Sequence, residues 1–467
     1  MLSTNLKENI KHINNMLGVG YSYDVSFRKF KIYDKEVYLY FLEGLVNNED
    51  INSINEVLLK LPQVEKKEDY FQIICNNIIH KDITIIDDYQ KIYDSVLSGC
   101  IVFVIEDSIK AISIQTRNFP TRSISEPDTE KVIRGSHDGF VESLNVNIAL
   151  VRRRIKDGKL RNKMIEIGVN SKTFVCLSYI EGICDQKLVD DVYEKLNKIK
   201  VSHLIMTDKA LEELLIKQKF NPYPLVRYTE RADIVSVHLY KGYFAIFVDT
   251  SPSVILAPAT FFDHLQHAEE YRQTPISGTY LRFLRFIGVI LSIFLTPIWF
   301  LIVINYIKSP ELFNIFIPED KSKLNIFLQL MSAEAGVEFL RMASIHTPSA
   351  LSTAMGLVAG ILIGDIAISV GVFSIQTVFL VAICAIGTYI TPSYELGLAN
   401  KISKLIFIIS IYFFGLIGFI VTFCLWLLFL ITRKSFGIPY LYPLIPLNLK
   451  KLKEIIIRVA NKEKKNA

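Results

Sequence analysis

Cysteine is scarce in this sequence, and the cysteines that occur show no pairing pattern. There are six among 467 residues, none in a C-x-x-C pair and most in apolar surroundings: Cys75, Cys100, Cys176, Cys184, Cys384 and Cys424. This distribution argues against a disulfide framework and against a zinc site. It indicates a reducing compartment around the soluble part of the protein and predicts no bound metal.

Several signatures of secretion and catalysis are also missing. The first eleven residues are polar and lack the apolar core of a signal peptide. There is no P-loop and no nucleophile with a base at diagnostic spacing, and the lone Gly18-Val19-Gly20 is too short for a dinucleotide fingerprint. A net charge of +5 is too small to suggest a nucleic-acid partner. We therefore expect neither enzymatic activity nor a cofactor.

Long uncharged runs are present, and they all lie in the second half of the chain. Residues 1–282 mix charged and apolar positions, whereas residues 286–431 contain several helix-length apolar stretches, and the mean hydropathy is +0.32. Stretches of about 20 apolar residues are typical of transmembrane helices. The sequence thus predicts a soluble N-terminal part followed by a membrane domain, with the lipid bilayer as a partner.

Two pairs of similar segments occur in the same order in the soluble part. A strand-like run that ends in Glu43-Gly44 matches one that ends in Glu181-Gly182 at an offset of 138 residues, and a helix-like segment follows each. Residues 99–108 resemble residues 242–251 at an offset of 143. The pattern indicates two related α/β subdomains. Chance similarity between short strands is the alternative.

The predicted fold is an α/β cytoplasmic region of two related subdomains followed by an all-α polytopic membrane domain. We place subdomain 1 at residues 1–114, a linker rich in Pro, Ser and Arg with a connecting helix at 115–150, and subdomain 2 at 151–282. The membrane domain covers residues 283–432, and a basic tail covers 433–467. The arginine triplet at 152–154 is typical of a solvated helix face or an intersubunit contact, with a phosphate or acidic partner as the alternative.

The membrane domain contains five apolar runs, at residues 286–307, 324–346, 349–364, 374–390 and 405–431. Arg272, Arg282 and Arg285 precede the first run, and nine Lys or Arg against two Glu follow the last, so both ends are predicted to be cytoplasmic. Two ends on one side require an even number of crossings. One run is therefore predicted to be re-entrant or broken, with the second and third as candidates, and such backbone indicates a cavity.

The second run carries a stripe of charge. Glu334, Glu338 and Arg341 are spaced i, i+4, i+7 and share one helix face, where Glu338 can reach Arg341. Burying ionised groups among lipid tails costs at least about 2.5–3.5 kcal/mol each. The stripe should therefore face protein or a water-filled cavity. It fits either a structural ion pair that locks two helices or the lining of an ion path.

Other polar residues near the apolar runs are weaker candidates. His346 ends the second run, and Asp365 is a lone carboxylate among small residues that permit close helix approach, so both are added to the candidate ion path. His264 and His267, next to Glu269 and Glu270, could bind a metal. An amphipathic helix at the membrane surface is the favoured interpretation of that segment.

Several segments of the sequence resemble the GerA family of spore germination proteins, A-subunit type. The resemblance is carried by EFLRMASIHTPSALSTAMGL at 338–357, ITPSYEL at 390–396, SIQTR at 113–117 and the helix at 147–155, and it covers nearly the whole chain. The nutrient receptor A subunits usually have an acidic residue at Met342, glycine at Ser344 and arginine at His346. These departures favour a paralogue of the receptor subunits.

The resemblance implies an oligomeric, channel-like protein of the inner spore membrane that takes part in ion release, amplifying the germination signal rather than sensing the nutrient. We expect a homo-oligomer with other germination membrane proteins as partners, in which Glu334 and Glu338 supply a negative field for monovalent cations. A nutrient receptor subunit, an ion-coupled carrier with Asp365 and Glu338 as ligands, and a non-conducting scaffold are the alternatives.

Overall fold

The structure is a computed structural model that describes residues 2–19, 25–32, 34–42, 46–60, 70–78, 82–116, 136–155, 157, 159–216, 218, 220–304, 311–318, 322–346, 364 and 366–458. The chain divides into two compact units, Met1–Arg122 and Ser123–Ala467. Each unit has its own hydrophobic cores. The predicted linker around residues 117–135 lies outside the described residues.

The first unit is a three-layer α/β/α sandwich around an antiparallel five-stranded sheet of order β1-β2-β4-β5-β3. Alternate strand residues bury against helices on opposite faces: Leu39 and Phe103 face α2 and α3, whereas Tyr40 and Val102 face α1 and α4. Its elements are α1 Leu6–Leu17, β1 Val25–Ile32, β2 Lys35–Leu42, α2 Asn48–Leu59, α3 Tyr70–Asn77, β3 Ile83–Ile86, α4 Tyr89–Leu97, β4 Ile101–Ile105 and β5 Ala111–Ile114.

The soluble part of the second unit repeats this architecture. Its sheet has the order β6-β7-β9-β10-β8, the same as in the first unit, and helices again cover both faces. Its elements are α5 Leu144–Arg154, β6 Leu160–Ile167, β7 Thr173–Ile180, α6 Gln186–Asn197, α7 Thr207–Ile216, β8 Arg227–Thr229, α8 Ala232–Tyr240, β9 Phe244–Val248, β10 Val254–Ala257, a short 3₁₀ helix Asp263–Leu265 and α9 Ala268–Arg272.

Strand register confirms the duplication. Val37 of β2 pairs with Ile105 of β4, and Val175 of β7 pairs with Val248 of β9. The equivalent residues lie 138 and 143 positions apart, the two offsets found in the sequence. The predicted α/β class of the soluble part is therefore confirmed, and chance similarity between short strands does not explain the matches.

Helix α5 belongs to the second subdomain. Leu144, Leu150 and Val151 pack in the core formed with β7 and β9, although residues 144–150 had been assigned to the connecting segment. Two of the three arginines at its end bind other groups of the same chain. Arg152 donates to the carbonyl oxygens of Asp157 and Leu160 at 2.7 and 2.8 Å, and Arg154 pairs with Asp138 at 2.6 Å.

Most of the remaining described residues of the second unit are helical, as predicted. In the part of the chain that the structure describes, two helices are long and apolar enough to cross a membrane, Pro275–Val303 and Tyr394–Thr432. Within the described residues the elements are α10 Pro275–Val303, a 3₁₀ helix Glu311–Phe316, α11 Ile326–His346, α12 Ala367–Ser369, α13 Ile375–Ile390, α14 Tyr394–Thr432, the two-residue strands β11 Lys434–Ser435 and β12 Ile438–Pro439, and α15 Leu449–Ile456.

Helix α14 is broken and folds back on itself. A straight helix of its 39 residues would be about 58 Å long, far more than the roughly 30 Å bilayer core. Gly415 has φ 58° and ψ −140°, a conformation that suits glycine alone. Thr422 Oγ1 donates to Ser410 Oγ at 2.7 Å, and the rings of Phe407 and Trp426 lie 6.1 Å apart. The element is a helical hairpin with its tip at Gly415.

Both arms of this hairpin return to the soluble subdomain. The Tyr223 hydroxyl lies 2.8 Å from Ser403 Oγ in one arm and accepts a hydrogen bond of 2.7 Å from Trp426 Nε1 in the other. The run at 405–431, the fifth apolar run of the sequence, therefore forms two arms and not one straight span. The break falls in the fifth run, whereas α11, one of the two suspected runs, is a continuous helix. The third run lies outside the described residues.

Candidate site in the helical domain

The predicted charge stripe of α11 lies against the first arm of α14. The two segments run antiparallel, since Phe327 stacks on Tyr412 near one end and Arg341 lies over Tyr394 at the other. Between these contacts α14 presents Lys401 and Lys404 to the stripe. The acidic side chains of α11 therefore meet cationic groups of a second helix.

The pair formed by Glu334 and Lys404 is sealed. Lys404 Nζ lies 2.5 Å from Glu334 Oε1, and only 2% and 3% of the two side chains are exposed. Lys404 and Tyr394 are ten residues apart, so this pair lies about 15 Å along the helix from Tyr394. An ion pair at such depth is retained only when each charge faces its partner. Within a single chain, Glu334 and Lys404 lock two helices together.

The second carboxylate is shared and partly open. Glu338, with 22% of its side chain exposed, lies 2.8 Å from Lys401 Nζ and pairs with Arg341, whose Nε donates to Glu338 Oε1 at 3.1 Å. The Arg341 guanidinium also lies 4.5 Å from the ring centroid of Tyr394, a cation–π contact. The pairing of Glu338 with Arg341 at i, i+3 is as the sequence predicts.

The cluster is not acidic overall. Glu334 and Glu338 contribute two negative charges, and Arg341, Lys401 and Lys404 contribute three positive ones. The two lysines are not among the site residues predicted from the sequence. Their i, i+3 spacing just before the last apolar run is the signal that could have identified them as partners for the stripe.

A cavity of about 300 Å³, here called the helix cavity, borders the open end of the cluster. Its walls come from α11, α13, α14 and the turn between the last two, and its lining includes Glu338, Arg341, Thr388, Thr391, Tyr394 and Lys401. Glu334 and Lys404 do not line it. The amide of Asn400, next to Lys401, is buried and has no hydrogen-bond partner within the described part of the chain. A buried orphan amide is satisfied by water or by an ion.

Two predicted site residues cannot be placed. Asp365 lies outside the described residues, and the same holds for the side chain of His346, although α11 includes its backbone. The structure therefore brings together Glu334, Glu338 and Arg341 of the predicted set. It adds Lys401 and Lys404.

A second cavity of about 300 Å³, the subdomain cavity, lies between the second α/β subdomain and the turn that joins α13 to α14. It is lined by charged groups of both signs and by the imidazole of His264. The charged groups are Asp208, Lys209, Arg227, Glu230 and Glu395.

The metal interpretation of His264 and His267 finds no support. In the described part of the chain no group of three or more metal-ligating side chains occurs. His264 is buried in the 3₁₀ helix, and His267 Nδ1 accepts a hydrogen bond from the amide of Glu269 as the N-cap of α9. The expected amphipathic surface helix is wrong as well, because α9 has only five residues and Glu270 is completely buried.

Two buried histidines should make the protein sensitive to acid. Burial, with Arg227 adding positive charge, lowers the pKa of His264 to about 3, although the Pro224 carbonyl opposes this; burial also lowers the pKa of His238 well below its usual value. Between the folded and unfolded pKa values the unfolded chain binds more protons, so stability falls as the pH drops below about 6.5. The limit is about 1.4 kcal/mol per pH unit for each histidine.

Thermal unfolding of the detergent-solubilised protein at pH 7.5 and at pH 5.5 measures this dependence. We expect His264→Gln to depend less steeply on pH than the wild type, since one titrating group is gone. His203→Gln, which replaces an exposed histidine, should follow the wild type. Equal slopes for all three proteins would show that His264 titrates normally.

A duplicated α/β unit joined to apolar helices, with buried charges between two of those helices, defines a membrane protein with a charged site inside its helical domain. The chain belongs to the GerA family, since the family model for the Bacillus/Clostridium GerA spore germination protein matches residues 11–467. It is thus a spore germination membrane protein of that family, and the resemblance read from the sequence is confirmed.

Individual relatives cover nearly the whole chain. Stage V sporulation protein AF of Bacillus subtilis (strain 168) is 44% identical over 98% of this chain and 93% of its own length. Spore germination protein A1 of the same organism is 32% identical over 91% and 88%, and spore germination protein KA is 28% identical over 98% and 89%.

Among solved structures, the N-terminal domain of the A subunit of the Bacillus megaterium spore germinant receptor GerK3 matches at 28% identity. The match covers 56% of this chain and 97% of that chain, with a TM-score of 0.23.

Proposed function

We propose that this protein is a subunit of an oligomeric, ion-conducting assembly that promotes or amplifies cation release during germination. The proposal depends on one observation: the ion-paired side chains of Glu338, Arg341 and Lys401 are partly exposed and line the helix cavity. Charged side chains inside a membrane domain are rare and commonly mark substrate or ion pathways, and a buried ion pair is by itself weak evidence for a stabilising role. The buried orphan amide of Asn400 supports a hydrated interior at this level.

This arrangement would be the closed state of such a path. Both carboxylates are neutralised, so the cluster does not attract cations. Glu338 is the group that can be released, because it borders the cavity, whereas Glu334 is sealed by Lys404. Movement of both Lys401 and Arg341 away from Glu338 would expose one negative charge to the cavity and favour cation entry.

The remaining features fit a non-enzymatic membrane role. The α/β subdomains and the basic tail would face the cytoplasm of the spore, and the soluble unit would couple assembly or partner binding to opening. The relatives named as spore germination proteins support other germination membrane proteins as partners. Neighbouring copies of the chain would complete the walls of the path.

Potassium flux from vesicles that contain the purified protein tests the conduction role. We expect Glu338→Gln to lower the flux about tenfold, equivalent to about 1.4 kcal/mol, because the released carboxylate is lost. Lys401→Gln should raise the basal flux, since Glu338 then lacks one of its two cationic partners.

Glu213→Gln is the matched control, because it replaces an exposed carboxylate of α7 in the soluble subdomain. Unchanged flux and selectivity in both the Glu338 and the Lys401 variants would remove these residues from the path.

A non-conducting scaffold is the second candidate, and the sealed pair of Glu334 and Lys404 favours it. A charge pair without access to water stabilises helix packing and conducts nothing. Wild-type protein that gives no flux in any vesicle, yet co-purifies stably with another germination membrane protein, would support this role over conduction.

A further inference from the structure

The helix cavity and the subdomain cavity share one wall. Pro392, Ser393 and Tyr394, in the turn between α13 and α14, line both of them. Among the described residues no other is common to the two linings. The turn therefore separates the charged site in the helical domain from a polar cavity at the soluble subdomain.

The backbone of this wall is held firmly. Thr391 Oγ1 donates to the carbonyl of Gly387 at 3.3 Å, and Ser393 Oγ accepts from the amide of Leu396 at 3.3 Å as the N-cap of α14. Pro392 restricts the backbone between them. The side chain of Tyr394 is different, because 53% of the residue is exposed. Its principal described contact is the guanidinium of Arg341, 4.5 Å from the ring centroid.

We propose that the subdomain cavity is the entrance of the ion path and that Tyr394 is a positioning residue that keeps the path closed by holding Arg341 over Glu338. This inference rests on the proposed conduction role. It adds the route by which ions reach the helix cavity and the residue that bars it.

The charges of the two cavities agree with this direction of entry. The subdomain cavity has three carboxylates, Asp208, Glu230 and Glu395, against two cations, Lys209 and Arg227, so its wall attracts cations weakly. Behind Tyr394 the guanidinium of Arg341 repels them. Rotation of the half-exposed ring would free Arg341, weaken its hold on Glu338 and join the two cavities in one step.

Cysteine accessibility tests whether Tyr394 separates the two cavities, and it does not require the protein to conduct ions. Thr388, which lines only the helix cavity, is replaced by cysteine in a protein whose two unburied cysteines, Cys75 and Cys424, are serine. A cationic, membrane-impermeant methanethiosulfonate reagent is added on the side of the soluble subdomain. Ser253→Cys, in the wall of the subdomain cavity alone, reports that the reagent reaches the entrance.

We expect Tyr394→Ala to increase the modification rate of the cysteine at position 388 about tenfold or more, a population change that corresponds to about 1.4 kcal/mol. Tyr394→Phe should react like the wild type, because the ring face that contacts Arg341 is retained. Tyr389→Ala is the matched control, since this tyrosine lines the helix cavity but not the shared wall. Tyr394→Leu, which removes the aromatic face but keeps apolar volume, should change the rate in the same direction and serves if the alanine variant does not fold.

Equal modification rates in the wild type, Tyr394→Ala and Tyr394→Leu would overturn the inference, as would an equal increase in Tyr389→Ala. Potassium flux distinguishes this failure from that of the proposed function. If no protein conducts but the Tyr394 variants still open access to position 388, Tyr394 does separate the two cavities and the conduction role is wrong. If the wild type conducts and the Tyr394 variants leave both flux and access unchanged, ions enter elsewhere.

Discussion

Replacing Lys404 by methionine is expected to destabilise the protein by about 3–5 kcal/mol, because the change leaves the ionised Glu334 buried without its partner. Lys401 cannot replace Lys404 as the counter-charge of Glu334, since its Nζ lies 3.9 Å from Glu334 Oε2 and 2.8 Å from Glu338. The apparent unfolding temperature of the detergent-solubilised protein measures the loss.

The double variant Glu334→Leu/Lys404→Met distinguishes the stability lost through an unpaired charge from the stability lost through altered packing. Buried ion pairs replaced by apolar side chains of similar volume are often neutral or stabilising. We therefore expect the double variant to recover most of the stability lost in the single one. Lys453→Met, on the exposed face of α15, is the control and should change little. If Lys404→Met behaves like this control, water reaches Glu334 and the pair is not sealed in the assembled protein.

Removal of the Glu270 carboxylate is expected to have a comparable effect at the other end of the helical domain. Glu270 is 0% exposed, accepts from Arg282 Nε at 2.8 Å and also pairs with Arg285. Glu270→Ala leaves two largely buried guanidinium groups without a counter-charge, which again costs about 3–5 kcal/mol. From the sequence, Arg282 and Arg285 indicate only the orientation of the first span, whereas in the structure both are held within this triad.

The same variant should also release the C-terminal helix. Arg282 donates to the carbonyl oxygens of Glu454 and Ile455 at 3.0 Å each, and these carbonyls lie in the last turn of α15. Without Glu270 the guanidinium is free to turn away, so we expect faster hydrogen exchange and faster proteolysis in residues 449–456. Glu269→Ala is the neighbouring control. Equal protection of α15 in Glu270→Ala and the wild type would show that the tail is held by other contacts.

Much of the soluble fold could be predicted because it depends on patterns of residues that are close together in the sequence. Strands β2 and β7 are apolar, β-branched and aromatic, and each ends near a Glu-Gly pair before a helix, so the duplication is visible as two constant offsets. The contact of Glu338 with Arg341 was predictable for the same reason, since residues three apart on a helix are neighbours.

The hairpin of α14 was not predictable in this way. Gly415 stands in a run that is apolar on both sides, and nothing in hydropathy distinguishes a long tilted helix from two short antiparallel arms. The turn depends on Gly415 adopting a positive φ and on aromatic contacts between residues 19 positions apart, such as Phe407 with Trp426. Such contacts form only when the chain packs against α10 and Tyr223.

Composition and spacing along the chain were enough to establish that this protein repeats an α/β unit, enters the membrane with its second half and buries charge there, because each of these properties is local. Which groups neutralise that charge is a different matter: Lys401 and Lys404 lie more than sixty positions from Glu334 and Glu338, and helix packing alone brings them within hydrogen-bond distance. Folding thereby turned a predicted acidic stripe into a cluster with one excess positive charge, closed at one end and open to a cavity at the other.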